Sequence, residues 1–345
     1  MGNINYPAPK QEYKVLVRCF TFNHSKYIED ALNGFAMQQT SSPFVCLVMD
    51  DASTDGEQEV IKAWMERECD MSRAETIDIP TSVVIIVPHK TNASCTFSFY
   101  LLKHNLYKAK ETKMRHVTPW REKCVYEAMC EGDDFWIDPL KLQKQVEIME
   151  SQPDVGLVHS SYNIVDSNNR LLTEEELPCF YRDLKPSQSV GYIYDKLFNH
   201  PSSILTCTVM FRTGKYETRI DHDLFMQIAK KYKIAYVETT TSCYRFLSSS
   251  MMRSSYDSVE LKLFETISTH MLSFYFGDKY IDEHYDISKL QNEVDMFFSK
   301  YITYYLRKGR FFNTPIKTIF SVLYKNPRLL IRTPFNIIKR LCLSI

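Results

Sequence analysis

Glycine is scarce in this sequence, with 9 in 345 residues. A glycine-rich phosphate loop would stand out against that background, and none is present. Net charge is also missing: 42 Lys+Arg balance 42 Asp+Glu. No global field draws polyanions, so no nucleic-acid partner is expected. Long apolar runs are lacking as well. A membrane span needs about 18 or more mainly apolar residues. The longest charge-free stretch, 31–49, is cut by Gln38-Gln39-Thr40-Ser41-Ser42-Pro43, and 197–211 holds Asn199, His200, Pro201, Ser202 and Ser203. Residues 1–10 contain no apolar signal core. The 10 cysteines include no C-x-x-C pair, which argues against zinc ribbons and thioredoxin-like sites. Cys19, Cys46 and Cys207 sit inside apolar runs, where a thiol acts as a small buried hydrophobe. A reducing cytoplasm is the expected compartment.

What is present is ordinary globular composition, 44% hydrophobic and 24% charged, long enough for one large domain with an appendage or for two. The first 110 residues read as alternating strands and helices. Residues 13–20 (YKVLVRCF), 44–49 (FVCLVM) and 82–87 (SVVIIV) fit buried strands. Between the first two, Ser25 is expected to cap a helix whose apolar face is Tyr27, Ile28, Ala31, Leu32 and Phe35. After the second, Val60, Ile61, Trp64 and Met65 share a helical face. This order implies right-handed crossovers and a mostly parallel sheet flanked by helices. Residues 97–124 resist placement. Residues 124–130 (CVYEAMC) read as a fourth strand despite Glu127, and Asp138-Pro139 as a capped helix start. Residues 155–164, 205–211 and 234–237 are further strands. Beyond about 250 the texture becomes helical, at 259–275 and 287–306. The expected domains are therefore 1–250, catalytic, and 251–345, a helical extension.

Two acidic constellations follow strands. Asp50-Asp51-Ala52-Ser53-Thr54-Asp55-Gly56 closes the second. Ligands of open parallel sheets bind outside the carboxyl ends of the strands, so carboxylates there face a crevice. The same residues also make a good turn. A calcium loop starting at Asp51 would need an acid at its twelfth position, which is Lys62. Glu131-Gly132-Asp133-Asp134-Phe135-Trp136 closes the fourth strand. Its clustered acids repel unless a cation sits among them, and hard divalent cations take carboxylate oxygen. Such an ion bridges protein to diphosphate and neutralises a leaving group.

With Thr21-Phe22-Asn23-His24 after the first strand, these motifs resemble family-2 glycosyltransferases of the GT-A fold, over about residues 12–250 and most closely bacterial enzymes of surface-polysaccharide assembly. The resemblance implies a Rossmann-like α/β domain with a helical C-terminal extension and a nucleotide-sugar donor, commonly a UDP-sugar. It places Phe20, Thr21 and Asn23 on the nucleoside side and has Asp51 accept a hydrogen bond from uracil. Asp133 falls near the ribose or the donor sugar, Asp134, with Asp133, on Mg²⁺ or Mn²⁺, and Glu131, where many members have Asp, counts among the donor-binding residues without a set role. Asp221-His222-Asp223-Leu224-Phe225 resembles the stretch that carries the family's catalytic base. Asp221 then takes the acceptor proton in an inverting displacement, with Asp223 as rival because Ile220 and Asp223 depart from the pattern. Tyr244-Arg245 resembles a segment whose arginine steadies the diphosphate; Leu247 stands where relatives carry His. On resemblance, 200–203 falls near the acceptor pocket and Lys103, His104 and Asn105 near the donor. His159, alone after an apolar strand, reads as a core residue.

The expected function is transfer of one sugar from a nucleotide-sugar to a glycan or lipid-linked glycan acceptor, with acids from separate parts of the chain gripping a cation-bound pyrophosphate at one rim. The basic, acid-free segment 315–345 either lies on the inner face of the cytoplasmic membrane as a peripheral contact or packs on the domain with snorkelling basic residues. A homo-oligomer is left open. Three rivals remain. A sugar-phosphate nucleotidylyltransferase needs a glycine-rich loop where Thr21-Phe22-Asn23-His24-Ser25 stands. A receiver domain carries its acid pair after the first strand, not the second. A non-catalytic sugar-binding relative fits Leu247 and the altered context of Asp221, and donor turnover separates it from an enzyme.

Overall fold

The strand Tyr13–Thr21 (β1) is the axis around which the fold assembles. The computed structural model describes residues 6–177, 185–197, 204–216, 220–247, and beyond those 285–286, 288–293, 295–296, 299 and 324. After β1 come Ile28–Ala36 (α1), Phe44–Asp50 (β2), Glu57–Glu68 (α2), Glu75–Ile79 (β3), Ser82–Pro88 (β4) and Cys95–Leu102 (β5). Met114–Arg121 (α3), Cys124–Met129 (β6), Phe135–Trp136 (β7), Lys141–Ser151 (α4) and Val155–Val165 (β8) follow. Tyr194–Leu197 (α5), Met210–Arg212 (β9), Asp221–Ala229 (α6) and Lys233–Arg245 (β10) complete the set.

The strands form one sheet in the order β3-β4-β5-β2-β1-β6-β9-β8-β10-β7. Its centre, β5-β2-β1-β6, is parallel. Successive β2 residues point to opposite faces. Phe44, Cys46 and Val48 join one buried cluster with Phe35 of α1, Trp64 of α2 and Met149 of α4. Val45, Leu47 and Met49 join the other with Val117 and Trp120 of α3. Helices thus cover both faces of the parallel centre, as this strand type requires. The eight described cysteines are all buried and free. No helix among the described residues is long and apolar enough to cross a membrane.

Several local expectations are corrected. Residues 82–87 are a strand, but antiparallel to β5 and paired in a hairpin with β3. The parallel neighbour of β2 is instead β5, in the stretch the sequence left unplaced. Ser25 does not cap α1, which starts at Ile28 without a side-chain cap; the N–H groups of Tyr27 and Ile28 both donate to the His24 carbonyl, so a turn intervenes. Asp138 stands before α4, not at its cap, and its Oδ1 accepts the Leu140 N–H at 2.9 Å. Much of the strand expected over 205–211 is a 3₁₀ turn, Thr206–Thr208.

The chain divides into two compact units. The first comprises Met1–Ser189, Ile204–Lys215 and Ala235–Leu247; the second comprises Val190–Ser203, Tyr216–Ile234 and Ser248–Ile345. In the second unit, Gly191 and Ile234 exchange backbone hydrogen bonds. The Tyr285 hydroxyl donates to the Ala229 carbonyl at 2.6 Å and accepts the Tyr194 N–H at 3.1 Å. Nearly all of the expected extension 251–345, including 259–275 and 315–345, lies outside the described residues, as do 200–203.

Candidate functional site

Three strand ends meet at one rim of the first unit. β1 lies between β2 and β6, so the segments leaving them are neighbours. The Asp51 N–H donates to the Thr21 carbonyl at 3.0 Å, and the Gly132 N–H to the Phe20 carbonyl at 3.1 Å. Only glycine fits at 132, since a Cβ there would fall 2.1 Å from Thr21 Oγ1. Asn23 and Ala52 both adopt positive φ, at 58° and 56°. Asparagine tolerates this region; for alanine it costs roughly 1–2 kcal/mol and persists where surrounding structure holds it, often at functional sites.

The first two loops are stitched together. The Asn23 N–H donates to Ser53 Oγ at 2.8 Å, the Thr54 N–H to Asn23 Oδ1 at 2.8 Å, and the Ser25 N–H to Asp55 Oδ2 at 2.9 Å. Beneath them lies Glu57, fully buried. Its carboxylate accepts the Thr21 hydroxyl in a short hydrogen bond, the His24 N–H at 2.8 Å and the Ser53 hydroxyl at 2.8 Å. Burial pushes the Glu57 carboxyl up, and these donors pull it back. His24 Nδ1 lies 3.2 Å from Thr21 Oγ1, and its Nε2 lies 3.8 Å from Asp133 Oδ2.

The acids expected at the rim divide by orientation. The Asp51 carboxylate, 1% exposed, faces inward. It accepts the N–H groups of Leu106 at 2.7 Å and Tyr107 at 3.3 Å, and pairs with Lys113 at 3.0 Å. With Asn105 Nδ2 donating to the Asp51 carbonyl at 2.7 Å, Asp51 anchors the 103–113 loop. Phe20 is bracketed by Arg18 and Lys113, each with its cation about 5 Å from the ring centroid (4.7 and 5.2 Å).

Asp134 also turns inward. Its Oδ1 accepts the Arg245 N–H at 2.8 Å, and the Cys207 thiol donates to it. Burial, with the neighbouring Asp133 charge adding, pushes its carboxyl well above the usual range. The carboxyls of Asp51 and Asp134 are thus both engaged by protein donors. Asp133 is the acid with a partly exposed carboxylate, and Glu131 beside it is partly exposed.

Arg245 is likewise engaged within the protein. Its guanidinium is buried, with the side chain 1% exposed. It donates through Nε to the Asp133 carbonyl at 2.7 Å and through its terminal nitrogens to Asn169 and to Asp30, the latter at 2.9 Å. The rings of Tyr27 and Phe135 flank it at 4.4 and 5.2 Å. It holds the acidic turn in place.

Elsewhere, His159 is a core histidine, as expected: Nε2 lies 2.9 Å from the Ser189 carbonyl, and burial pushes its pKa down to about 4. Lys103 pairs with Asp78. In the second unit, Asp221 is exposed and Asp223 half-buried in the first turn of α6, where Asp223 Oδ1 accepts from Gln227 at 3.0 Å. A cleft of about 630 Å³ beside α2 is lined by Ser53, Gln58, Lys62, Val83, Leu101 and Lys103 among others, and includes none of Asp51, Asp133 and Asp134. Among the described residues, no three His, Cys, Asp or Glu side chains form a cation cage.

His24, Glu57 and Lys113 are the site residues that sequence reasoning missed. An acid opening a helix reads as complementing the helix dipole, and nothing local says that Glu57 faces β1. His24 stood inside the quoted Thr21-Phe22-Asn23-His24 motif. Its role depends on β6, far away in sequence.

The fold has known counterparts. The solved structure of S. aureus TarS residues 1–349 with UDP-GlcNAc superposes with a TM-score of 0.54 at 14% identity, over 94% of this chain and 82% of that one. The fold is thus GT-A, the fold of glycosyltransferases. An uncharacterized protein of Mycobacterium tuberculosis (strain ATCC 25618 / H37Rv) is 27% identical over 242 residues, 68% of this chain. The match spans only 60% of that relative's own length. An uncharacterized glycosyltransferase of Methanocaldococcus jannaschii is 21% identical over 257 residues, 72% of this chain and 77% of that protein. No protein-family model matches the chain.

Proposed function

We propose that the chain is an inverting glycosyltransferase that moves a sugar from a nucleotide-sugar, a UDP-sugar in the first instance, to a glycan or lipid-linked glycan acceptor in surface-polysaccharide synthesis. The observation that carries this reading is the meeting of three strand ends at one rim of a GT-A sheet, with Asp133 the partly exposed acid there. TarS, of the same fold, was solved with UDP-GlcNAc, and the Methanocaldococcus relative is described as a glycosyltransferase. In this reading the nucleoside lies against Phe20, Thr21 and Asn23, with Asp51 fixing the loop beside them.

The donor set fits Mg²⁺ or Mn²⁺. Such ions are held by one or two carboxylates and complete their shell with substrate phosphates, and Asp133, with Glu131 near it, supplies that chemistry at the rim. A bound divalent cation would neutralise charge on the leaving diphosphate. Asp221, with Asp223 as alternative, is the proposed general base for the acceptor hydroxyl. The proposed location is cytoplasmic, with 315–345 either a peripheral contact on the inner membrane face or packed on the domain.

A thermal-shift screen of nucleotide-sugars with Mn²⁺, followed by donor hydrolysis before and after chelation, tests the reading. Stabilisation by one nucleotide-sugar and metal-restored hydrolysis support it. Binding of UDP without turnover of any donor or transfer to any acceptor would favour a sugar-binding protein instead.

A further inference from the structure

The rim carries a histidine whose surroundings fix its free nitrogen. The Thr21 hydroxyl has one proton, and it donates it to Glu57. With Glu57 ionised, Thr21 Oγ1 is left to accept from His24, which favours the tautomer with the ring proton on the Nδ1 at 3.2 Å. That leaves the Nε2 lone pair on the side facing Asp133. A partner on the second ring nitrogen is what orients histidines that bind metal ions; here it is the Thr21 hydroxyl, itself bonded to the Glu57 carboxylate. The loop is held from the backbone as well, since Glu57 also accepts the His24 N–H.

The spacing agrees. His24 Nε2 and Asp133 Oδ2 lie 3.8 Å apart, beyond hydrogen-bond reach. Two bonds of about 2.1 Å to one cation span up to about 4.2 Å, so a single ion can touch both atoms. Both side chains are partly exposed, 23% and 19%, which leaves room for phosphate oxygens and water. Two protein ligands would not retain an ion alone. Diphosphate oxygens would complete the shell.

We infer that His24 is a nitrogen ligand of the cation that accompanies the donor diphosphate, paired with Asp133 and held in the required tautomer by the Glu57–Thr21 relay. The inference rests on the glycosyltransferase reading and deepens it: it makes Thr21-Phe22-Asn23-His24 a cation-binding loop and Glu57 a positioning residue acting through Thr21.

The test is pulsed EPR of Mn²⁺ on the full chain with UDP, alongside Mn²⁺ affinity from EPR titration. The expected result is a ¹⁴N coupling to Mn²⁺ in the unaltered protein that His24→Ala abolishes. Glu57→Gln should weaken Mn²⁺ binding by about 10–100-fold, the range for lost outer-shell partners. The unaltered protein is informative whatever the variants do. Mn²⁺ binding that needs Asp133 but shows no ¹⁴N coupling overturns the His24 assignment and leaves the glycosyltransferase reading standing; His24 would then merely ion-pair with Asp133. Mn²⁺–UDP binding that is indifferent to both His24→Ala and Asp133→Asn overturns the inference and the proposed cation site together.

Discussion

The backbone N–H of Arg245 donates to Asp134 Oδ1 at 2.8 Å while its own guanidinium donates to the Asp133 carbonyl at 2.7 Å. The end of β10 thereby fastens the turn that leaves β6. The turn's two aspartates are sorted by this contact: one is drawn inside and the other is left at the rim.

Arg245→Ala should therefore destabilise the fold, because it strips the Asp133 carbonyl, Asn169 and Asp30 of a shared donor in a buried place. The expected loss is about 3 kcal/mol by urea denaturation, the lower end for breaking a buried charged network. Donor affinity should fall only as far as the turn loosens. A variant of unchanged stability that lost all diphosphate affinity would mean that Arg245 reaches the ligand.

Asp133→Asn and Asp134→Asn should separate. The first removes the partly exposed carboxylate and should lower metal-dependent donor turnover by about two decades or more, comparable to losing a principal electrostatic contact. The second keeps an acceptor for the Arg245 N–H and should act mainly on stability, seen as a lower melting temperature. The opposite pattern in initial-rate measurements would return the cation to Asp134.

Glu127 carries the acid sensitivity of the central sheet. Burial alone would raise its pKa, but Arg18 and Arg121 outweigh burial and hold it below the ordinary 4.5. Arg18 Nε lies 2.7 Å and Arg121 Nε 2.5 Å from its oxygens. A depressed carboxylate contributes stability above its unfolded pKa and loses it as pH falls through the folded value. Glu127→Gln should cost about 3–5 kcal/mol at neutral pH by leaving two arginines uncompensated. It should also flatten the fall in stability below about pH 4.5. Equal acid sensitivity in both proteins by pH-resolved denaturation would contradict this.

Lys141 behaves in the opposite sense. It is fully buried, donates to Gln145 Oε1 at 2.8 Å, and lies over the Trp136 ring at 4.3 Å. Burial pushes its pKa from 10.5 down to about 7. The unfolded chain then binds more protons between these values, so this group's penalty is full below pH 7 and fades toward 10.5. Lys141→Met should stabilise the protein by about 1–4 kcal/mol near pH 6 and by progressively less at higher pH. A gain that does not vary with pH would show that the ammonium is not destabilised by its site.

The parallel centre of the sheet was legible because Phe44–Asp50 and its neighbours are continuous apolar runs between turn-forming residues. Cys95–Leu102 is harder to read as a strand, although CTFSFYLL is rich in aromatic residues, because it runs straight into the polar stretch after Leu102. Glu127 looked out of place in a strand because its partner Arg18 sits on another strand, 109 residues away. The acidic motifs located the rim but not the direction of each carboxyl. Asp51 and Asp134 face inward because of contacts from Leu106, Lys113, Cys207 and Arg245, none adjacent to them in sequence.

Calorimetric titration of UDP into the protein with Mn²⁺, repeated after chelation and with Asp133→Asn, tests the central claim most directly. The expected result is one site per chain, weakened at least about tenfold by either change, which corresponds to about 1.4 kcal/mol. Absence of UDP binding, or binding that ignores both the metal and Asp133, would contradict the account.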